Sequence, residues 1–338
     1  MIVWLLLCTF AAAAIGTWFL RSYALARRVL DVPNSRSSHQ VPTPRGGGLS
    51  IVVVFLAGTI VLASAGEISR PVAVALVGAG AIVALVGFLD DHRHIAARWR
   101  LLAHFASAAW ALWWLGGLPP LELLGAVVNL GWGGSVLAAV GLVWLLNLYN
   151  FMDGIDGIAG VEAVTVCLGA VTLYAVGPSP SAEWALPSVL AAATLGFLVW
   201  NFPRAKIFMG DAGSGFLGIV LGVLTLRAAA LSPQWIWSWI ILLGVFVVDA
   251  TVTLLRRLQR REKVYEAHRS HAYQHAAALQ GSHPPITLAV AAINLIWLLP
   301  LALLVGTKRI DGLTGAIVGY APLVWLAFRL RAGAAVSR

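Results

Sequence analysis

The chain has 338 residues, 60% of them hydrophobic and 11% charged, with a formal net charge of +9. So much apolar surface excludes a soluble globular protein of this length, and long apolar runs without period-two alternation exclude a membrane β-barrel. The positive charge does not indicate nucleic acid, because basic residues in a membrane chain are first placed by topology.

A helix needs roughly 20 apolar residues to span ~30 Å of hydrocarbon. The first apolar segment, residues 2–20, has no Lys or Arg before it, which predicts a retained helix entering from outside instead of a cleaved signal peptide. A polar loop at 21–47 follows, and then apolar segments at 48–66, 71–89, 101–117, 133–149, 157–177, 186–202, 213–231, 236–255, 286–306 and 313–330. The pattern predicts an all-α polytopic integral membrane protein of about eleven transmembrane helices, forming one membrane domain over 1–338. Cys8 and Cys167 lie inside apolar runs and are not spaced as zinc ligands.

Alternate loops differ sharply in charge. Arg21, Arg27, Arg28, Arg36, Arg45, Arg93, Arg98, Arg100, Arg204, Lys206, Arg256, Arg257, Arg260, Arg261, Lys263, Arg269, Arg329, Arg331 and Arg338 fall on one side, leaving only Arg70, Arg227, Lys308 and Arg309 on the other. The positive-inside rule makes the rich side cytoplasmic, with the N-terminus outside and the C-terminus inside. Asp31, Asp90, Asp91, Asp153, Asp156, Asp211, Glu262 and Glu266 share that side, and Asp90, Asp91, Asp153, Asp156 and Asp211 sit at helix ends. Carboxylates near hydrocarbon are costly unless they serve a site.

The polar loop carries Pro42-Thr43-Pro44-Arg45-Gly46-Gly47-Gly48, a run that suits either a connector or a phosphate contact at a helix start. Asp90-Asp91 closes the third segment, where two acids oppose the helix dipole; a general base or a metal-proximal pair accounts for them better than a plain boundary. Asn147 to Gly160 concentrates two carboxylates, two amides and three glycines between apolar runs, and Asp153 and Asp156 share a face if the segment is helical. It lacks the remaining ligands of a calcium loop. Phe208-Met209-Gly210-Asp211-Ala212-Gly213-Ser214-Gly215 opens the eighth segment without the Lys-Ser/Thr of a P-loop. Its helix start would offer amides to phosphate, with Asp211 either a cap or a ligand for Mg²⁺.

His268, Arg269, His271 and His275 occupy the last long cytoplasmic loop. The three histidines would share a helical face, but the basic surroundings favour an anion patch with Arg269 on phosphate over a zinc site; an amphipathic surface helix is the plainer alternative. Asp249, inside the ninth segment, is open between a buried structural partner and a support for the site. Several carboxylates on one face repel unless a cation joins them, so a divalent metal with a polyanionic substrate is the simplest reading. The lipid setting then points to phosphoryl transfer from a soluble nucleotide to a lipid phosphate.

These motifs, in this order between Pro42 and His275, resemble those of the polyprenyl-phosphate N-acetylhexosamine-1-phosphate transferases. The histidine loop is more similar to the O-antigen-initiating branch than to the phospho-MurNAc-pentapeptide translocases. The resemblance implies ten or eleven helices around a cytoplasm-facing cleft in the bacterial inner membrane, often as a homodimer. It implies transfer of HexNAc-1-phosphate from a UDP-N-acetylhexosamine to undecaprenyl phosphate with release of UMP. By the same resemblance Asp211 and Asp153 would hold Mg²⁺, or Mn²⁺ in its place, with Asp90, Asp91 and Asp153 catalytic. Asp156 and Phe208 would hold the uracil, Asn150 would order the site, and Arg45, His268, Arg269 and His271 would contact the diphosphate or sugar. A secondary transporter is disfavoured because the acids at helix ends cluster at one interface and no repeat is seen. A CDP-alcohol phosphotransferase is disfavoured because Ile158-Ala159-Gly160-Val161 follows Asp156-Gly157.

Overall fold

The computed structural model describes residues 1–33, 38–39, 41–93, 95–177, 182–262 and 268–334. Arg36, Lys263, Glu266 and Arg338, used above in the charge asymmetry, lie outside them.

Each apolar segment becomes helix. In chain order these are α1 (Ile2–Arg27), α2 (Leu49–Ser64), α3 (Arg70–His92), α4 (Ala97–Leu115), α5 (Gly131–Met152), α6 (Ile158–Val176), α7 (Ala185–Asn201) and α8 (Asp211–Leu231). After them come α9 (Trp235–Leu242), α10 (Gly244–Gln259), α11 (Ala272–Gln280), α12 (Pro284–Ala292), a π-helical segment (Ile293–Leu298), α13 (Leu299–Gly306) and α14 (Gly312–Arg329). Among the described residues seven helices are long and apolar enough to cross a membrane, or eight if one bent pair is counted as a span. The expected eleven therefore includes shorter helices, Leu49–Ser64 and Ala185–Asn201 among them. The segment expected at 236–255 is not one rod: α9 and α10 meet at a 70° bend.

Two short antiparallel pairs complete the described structure. β1 (Leu30–Asp31) pairs with β2 (Thr43–Pro44), Leu30 opposite Pro44, and β3 (Leu121–Leu123) pairs with β4 (Ala126–Val128) between α4 and α5. The chain at Phe208 and Met209 extends the first pair: Phe208 N–H donates to Pro44 O at 2.8 Å, and Gly47 and Gly48 donate to Phe208 O and Met209 O at 2.9 Å.

Helix α8 is the hub, with 83% of its apolar window buried. Small residues let its neighbours approach backbone to backbone, where dispersion and not the hydrophobic effect holds membrane helices together. A Cβ on Gly218 would lie 2.6 Å from Leu146 Cα of α5, and one on Gly87 would lie 2.5 Å from Ala212 N at the start of α8. Gly87→Ala is therefore expected to force α3 off α8 and cost about 1–3 kcal/mol. Thermal unfolding of the detergent-purified variant measures this, and an unchanged midpoint would contradict the packing.

One acid is buried far from the helix ends. Glu162 of α6 is fully buried, and the π-helical segment turns Asn294 towards it, so that Asn294 Nδ2 donates to Glu162 Oε2 at 2.6 Å and to Thr165 Oγ1 at 2.8 Å. A lone polar group there would be expensive, and this pairing fastens the C-terminal helices to α6.

Candidate active site

The C-terminal ends of α3, α5 and α7 and the N-terminal ends of α6, α8 and α12 meet at one end of the bundle, around a cavity of about 360 Å³. Asp91, Asp153, Asp156 and Asp211 line it with Arg45, Asn150 and Phe208. Seven of the eleven site side chains singled out from the sequence thus line one space, from four separate motifs.

Asp211 is the first residue of α8. Its Oδ1 accepts from Asn150 Nδ2 at 2.9 Å and its Oδ2 lies 3.4 Å from Arg100 Nη1. Asn150 Nδ2 also reaches Ser214 Oγ at 3.1 Å, so the amide ties the end of α5 to the first turn of α8. Arg100 pairs with Asp90 as well, and Asp90 Oδ1 accepts from Ile95 N at 2.7 Å. Asp90 consequently faces a second, smaller cleft on the far side of Asp211, lined by Arg100, His104, Asn147 and Phe151 and by apolar Val83, Val86 and Leu146. Asn150 and Asp211 border both clefts.

Asp91 is buried and spends its carboxylate on the start of α8, 3.3 Å from the Asp211 amide and 3.5 Å from the Ala212 amide. Arg45 faces it, Nε 3.8 Å from Asp91 Oδ1, and also donates to the Asp91 carbonyl. Two sequence expectations are corrected here. The first-turn amides of α8 are not free for phosphate, because Asp91 takes two of them and Gly210 O takes those of Gly213 and Ser214 at 3.1 Å. The glycine run at 46–48 likewise spends the Gly47 and Gly48 amides on the Phe208 strand. Its glycines serve close approach: a Cβ on Gly48 would lie 2.5 Å from Gly213 Cα.

Asp153 follows α5, partly buried, and its carboxylate has no hydrogen-bond or ion-pair partner among the described residues. Burial, with the Asp211 and Asp91 charges adding to it, pushes it up to about 7. Carboxylates that raise one another in this way are what a cation would relieve. No group of three His, Cys, Asp or Glu side chains among the described residues forms a protein-only metal cage. Mg²⁺, which uses one or two carboxylates and completes its shell with water and phosphate, fits this donor set; a three-ligand zinc site does not.

Asp156 lies across the cavity, Oδ1 3.2 Å from His283 Nδ1, with its carbonyl accepting from Thr287 Oγ1 at 2.8 Å. Buried Asn201 accepts from the Gly157 amide at 3.0 Å and donates to Ile207 O at 2.9 Å, fixing the Asp156 turn to the strand that carries Phe208. His39 packs edge-on against Phe208, ring centres 4.8 Å apart.

The histidine loop is placed differently from its expectation. His268 and His271 precede α11, so the three histidines share no helical face, and none of them lines the cavity. His271 is buried with Nδ1 3.3 Å from Asp249 Oδ1, and His275 contacts Ala334 O at 2.9 Å. Burial and the charges of His271 and Arg257 push His268 down to about 3, leaving a neutral ring stacked on His271 at 4.9 Å. Arg269 has no ion-pair partner among the described residues, and its Nε is buried without a hydrogen bond. Asp249 is the structural anchor of this loop: it also accepts from the Ala272 and Tyr273 amides at 2.9 and 3.0 Å and from Thr253 Oγ1 at 3.1 Å. The loop reaches the cavity through Gln274, while Tyr273 donates to Phe151 O at 3.1 Å.

Arg100, Asn201 and His283 were not among the expected site residues. Arg100 reads as one more topology charge, and Asn201 and His283 stand in no recognisable motif.

Residues 73–229 match the sequence profile of glycosyl transferase family 4. The chain is 31% identical over 287 residues to a probable undecaprenyl-phosphate N-acetylglucosaminyl 1-phosphate transferase of Bacillus subtilis (strain 168), covering 83% of this chain and 78% of that one. It is 29% identical over 316 residues to a decaprenyl-phosphate N-acetylglucosaminephosphotransferase of Mycobacterium leprae (strain TN), covering 82% and 78%. It is 30% identical over 256 residues to a phospho-N-acetylmuramoyl-pentapeptide-transferase of Moorella thermoacetica, covering 70% and 76%.

Proposed function

Because this chain belongs to the polyprenyl-phosphate N-acetylhexosamine-1-phosphate transferase family, we propose that it moves HexNAc-1-phosphate from a UDP-N-acetylhexosamine to undecaprenyl phosphate. UMP leaves, and the lipid-linked sugar begins a cell-envelope polysaccharide such as an O-antigen. GlcNAc is the first donor to try, from the names of two relatives, with FucNAc and QuiNAc as the alternatives. The cavity faces the cytoplasm of the bacterial inner membrane on the distribution of basic loops.

The observation that carries the proposal is the convergence of Asp91, Asp153, Asp156 and Asp211 with Asn150 and Phe208 on one cavity. Asp211 and Asp153 would hold Mg²⁺, or Mn²⁺, which when bound neutralises phosphate charge as a Lewis acid. Asp156 and Phe208 take the base of the donor, by hydrogen bonding and stacking. Asp153, whose carboxylate has no hydrogen-bond or ion-pair partner among the described residues, would have an oxygen for a proton of the acceptor. Asp90 and Asp91 act by positioning, the first by holding Arg100 and the second by holding the start of α8. The smaller cleft, with Arg100 beside apolar Val83, Val86 and Leu146, suits a phosphate on a lipid chain. His268, Arg269 and His271 support the cavity wall from behind, and Arg269, without an ion-pair partner among the described residues, would be available to a sugar or phosphate.

The test is direct. Purified protein with Mg²⁺ and undecaprenyl phosphate is offered a panel of UDP-sugars. UMP and an organic-extractable sugar lipid are expected from at least one UDP-HexNAc. No lipid product from any donor would overturn the assignment.

A further inference from the structure

We propose that His283 is a specificity-determining residue, which sets the carboxylate of Asp156 so that the donor site accepts uracil and rejects cytosine. The proposal rests on reading the large cavity as the donor-nucleotide site.

His283 stands at the N-terminal boundary of α12, and Pro284 and Pro285 follow it in the first turn. Proline at a helix start fixes the backbone and forfeits only amides that would lack intrahelical partners. His283 O accepts the Ile286 and Thr287 amides at 3.0 and 3.2 Å. The ring is thus carried on a rigid corner, and its side chain and that of Asp156 are 18% and 16% exposed, both lining the cavity.

The Asp156 backbone is held from two directions. Fully buried Thr287 donates to its carbonyl, and Asn201 takes the next amide, that of Gly157. Neither contact touches the carboxylate. Among the described residues the one side chain that does is His283, at 3.2 Å from Oδ1. A carboxylate only accepts, so this pairing forms when Nδ1 carries the proton. In the other tautomer the same nitrogen accepts from the Asp156 amide at 3.5 Å, so the ring meets Asp156 at its carboxylate or at its backbone.

The chemical consequence is selectivity. With Oδ1 engaged, rotation of the carboxylate is restricted and Oδ2 is left as a single directed acceptor. Uracil presents a ring N–H at position 3 beside carbonyl oxygens, whereas cytosine presents an acceptor there. A fixed anionic acceptor therefore favours the first and repels the second, and sites that hydrogen-bond a ligand group discriminate strongly against analogues lacking it. Without the imidazole, the carboxylate turns to water and the preference relaxes.

The experiment compares wild type with His283→Ala, His283→Asn and Thr287→Val, measuring binding of UMP and CMP and steady-state kinetics with whichever UDP-HexNAc the donor panel selects. Asn can place an amide N–H near the position of Nδ1. His283→Ala is expected to raise donor KM about tenfold with kcat within about threefold, and to shrink the UMP-over-CMP ratio by a similar factor. His283→Asn is expected to restore most of both. Thr287→Val, which loosens the same turn without touching the carboxylate, is expected to lower the unfolding midpoint and leave the ratio unchanged.

An unchanged base ratio in His283→Ala would overturn the proposal. So would equal losses in the Ala and Asn variants, or a fall in kcat with KM intact. If His283→Ala fails to fold, the Asn and Val variants still decide it by the base ratio. Failure of the underlying reading is distinguishable, because wild type would then bind no uridine nucleotide.

Discussion

Asp211→Asn is expected to lower turnover by at least about a thousandfold while the protein remains folded. The substitution keeps the shape of the side chain, and an Asn oxygen can still accept from Asn150 Nδ2, now at 2.9 Å from Asp211 Oδ1. What disappears is the negative charge shared between Arg100 and the cavity. Arg100 retains Asp90 as a partner, so the local cost in stability is small. The acid that borders both clefts, and would hold a cation between donor and acceptor phosphates, is gone. Two measurements check this: UMP release, and the rise in unfolding midpoint when Mg²⁺ is added, which is expected in wild type and absent in the variant. Full activity in Asp211→Asn would remove this residue from the chemistry.

The helices and the end of the bundle that carries the site were legible in the sequence because hydrocarbon imposes length and composition, and because acids at that boundary are otherwise costly. Asp91, Asp153, Asp156 and Asp211 were all found in this way. Their division of labour was not legible. Asp90 and Asp91 are adjacent in sequence, yet one faces the smaller cleft and the other caps α8, a difference set by helix rotation and by the approach at Gly87. The amides of Gly47 and Gly48 looked free for phosphate until the strand at Phe208 took them, a pairing 161 residues away that no local pattern encodes. The bend between α9 and α10 was hidden by an uninterrupted apolar run. His283 escaped notice because its meaning depends wholly on Asp156, 127 residues distant.

Asp249→Leu is expected to destabilise the protein by about 3 kcal/mol or more and to remove activity without any change at the cavity carboxylates themselves. Asp249 is buried in α10, and its two oxygens accept from the Ala272 and Tyr273 amides, from Thr253 Oγ1 and from His271 Nδ1. Leucine has similar volume but leaves two backbone donors and a buried imidazole without their acceptor. The start of α11 must then fray or move. Tyr273 and Gln274 move with it, and these are the residues through which α11 meets the Phe151 carbonyl and lines the cavity. A Cβ on Gly154 would lie 2.2 Å from Tyr273 Oη, which shows how closely α11 is pressed against the turn between Asp153 and Asp156. Limited proteolysis within 256–285 is expected to accelerate in the variant, and the unfolding midpoint to fall. Asp249→Asn separates charge from capping: its amide oxygen can cap one backbone donor, so it should recover part of the stability. Wild-type protection and activity in Asp249→Leu would show that α11 holds its place without this acid.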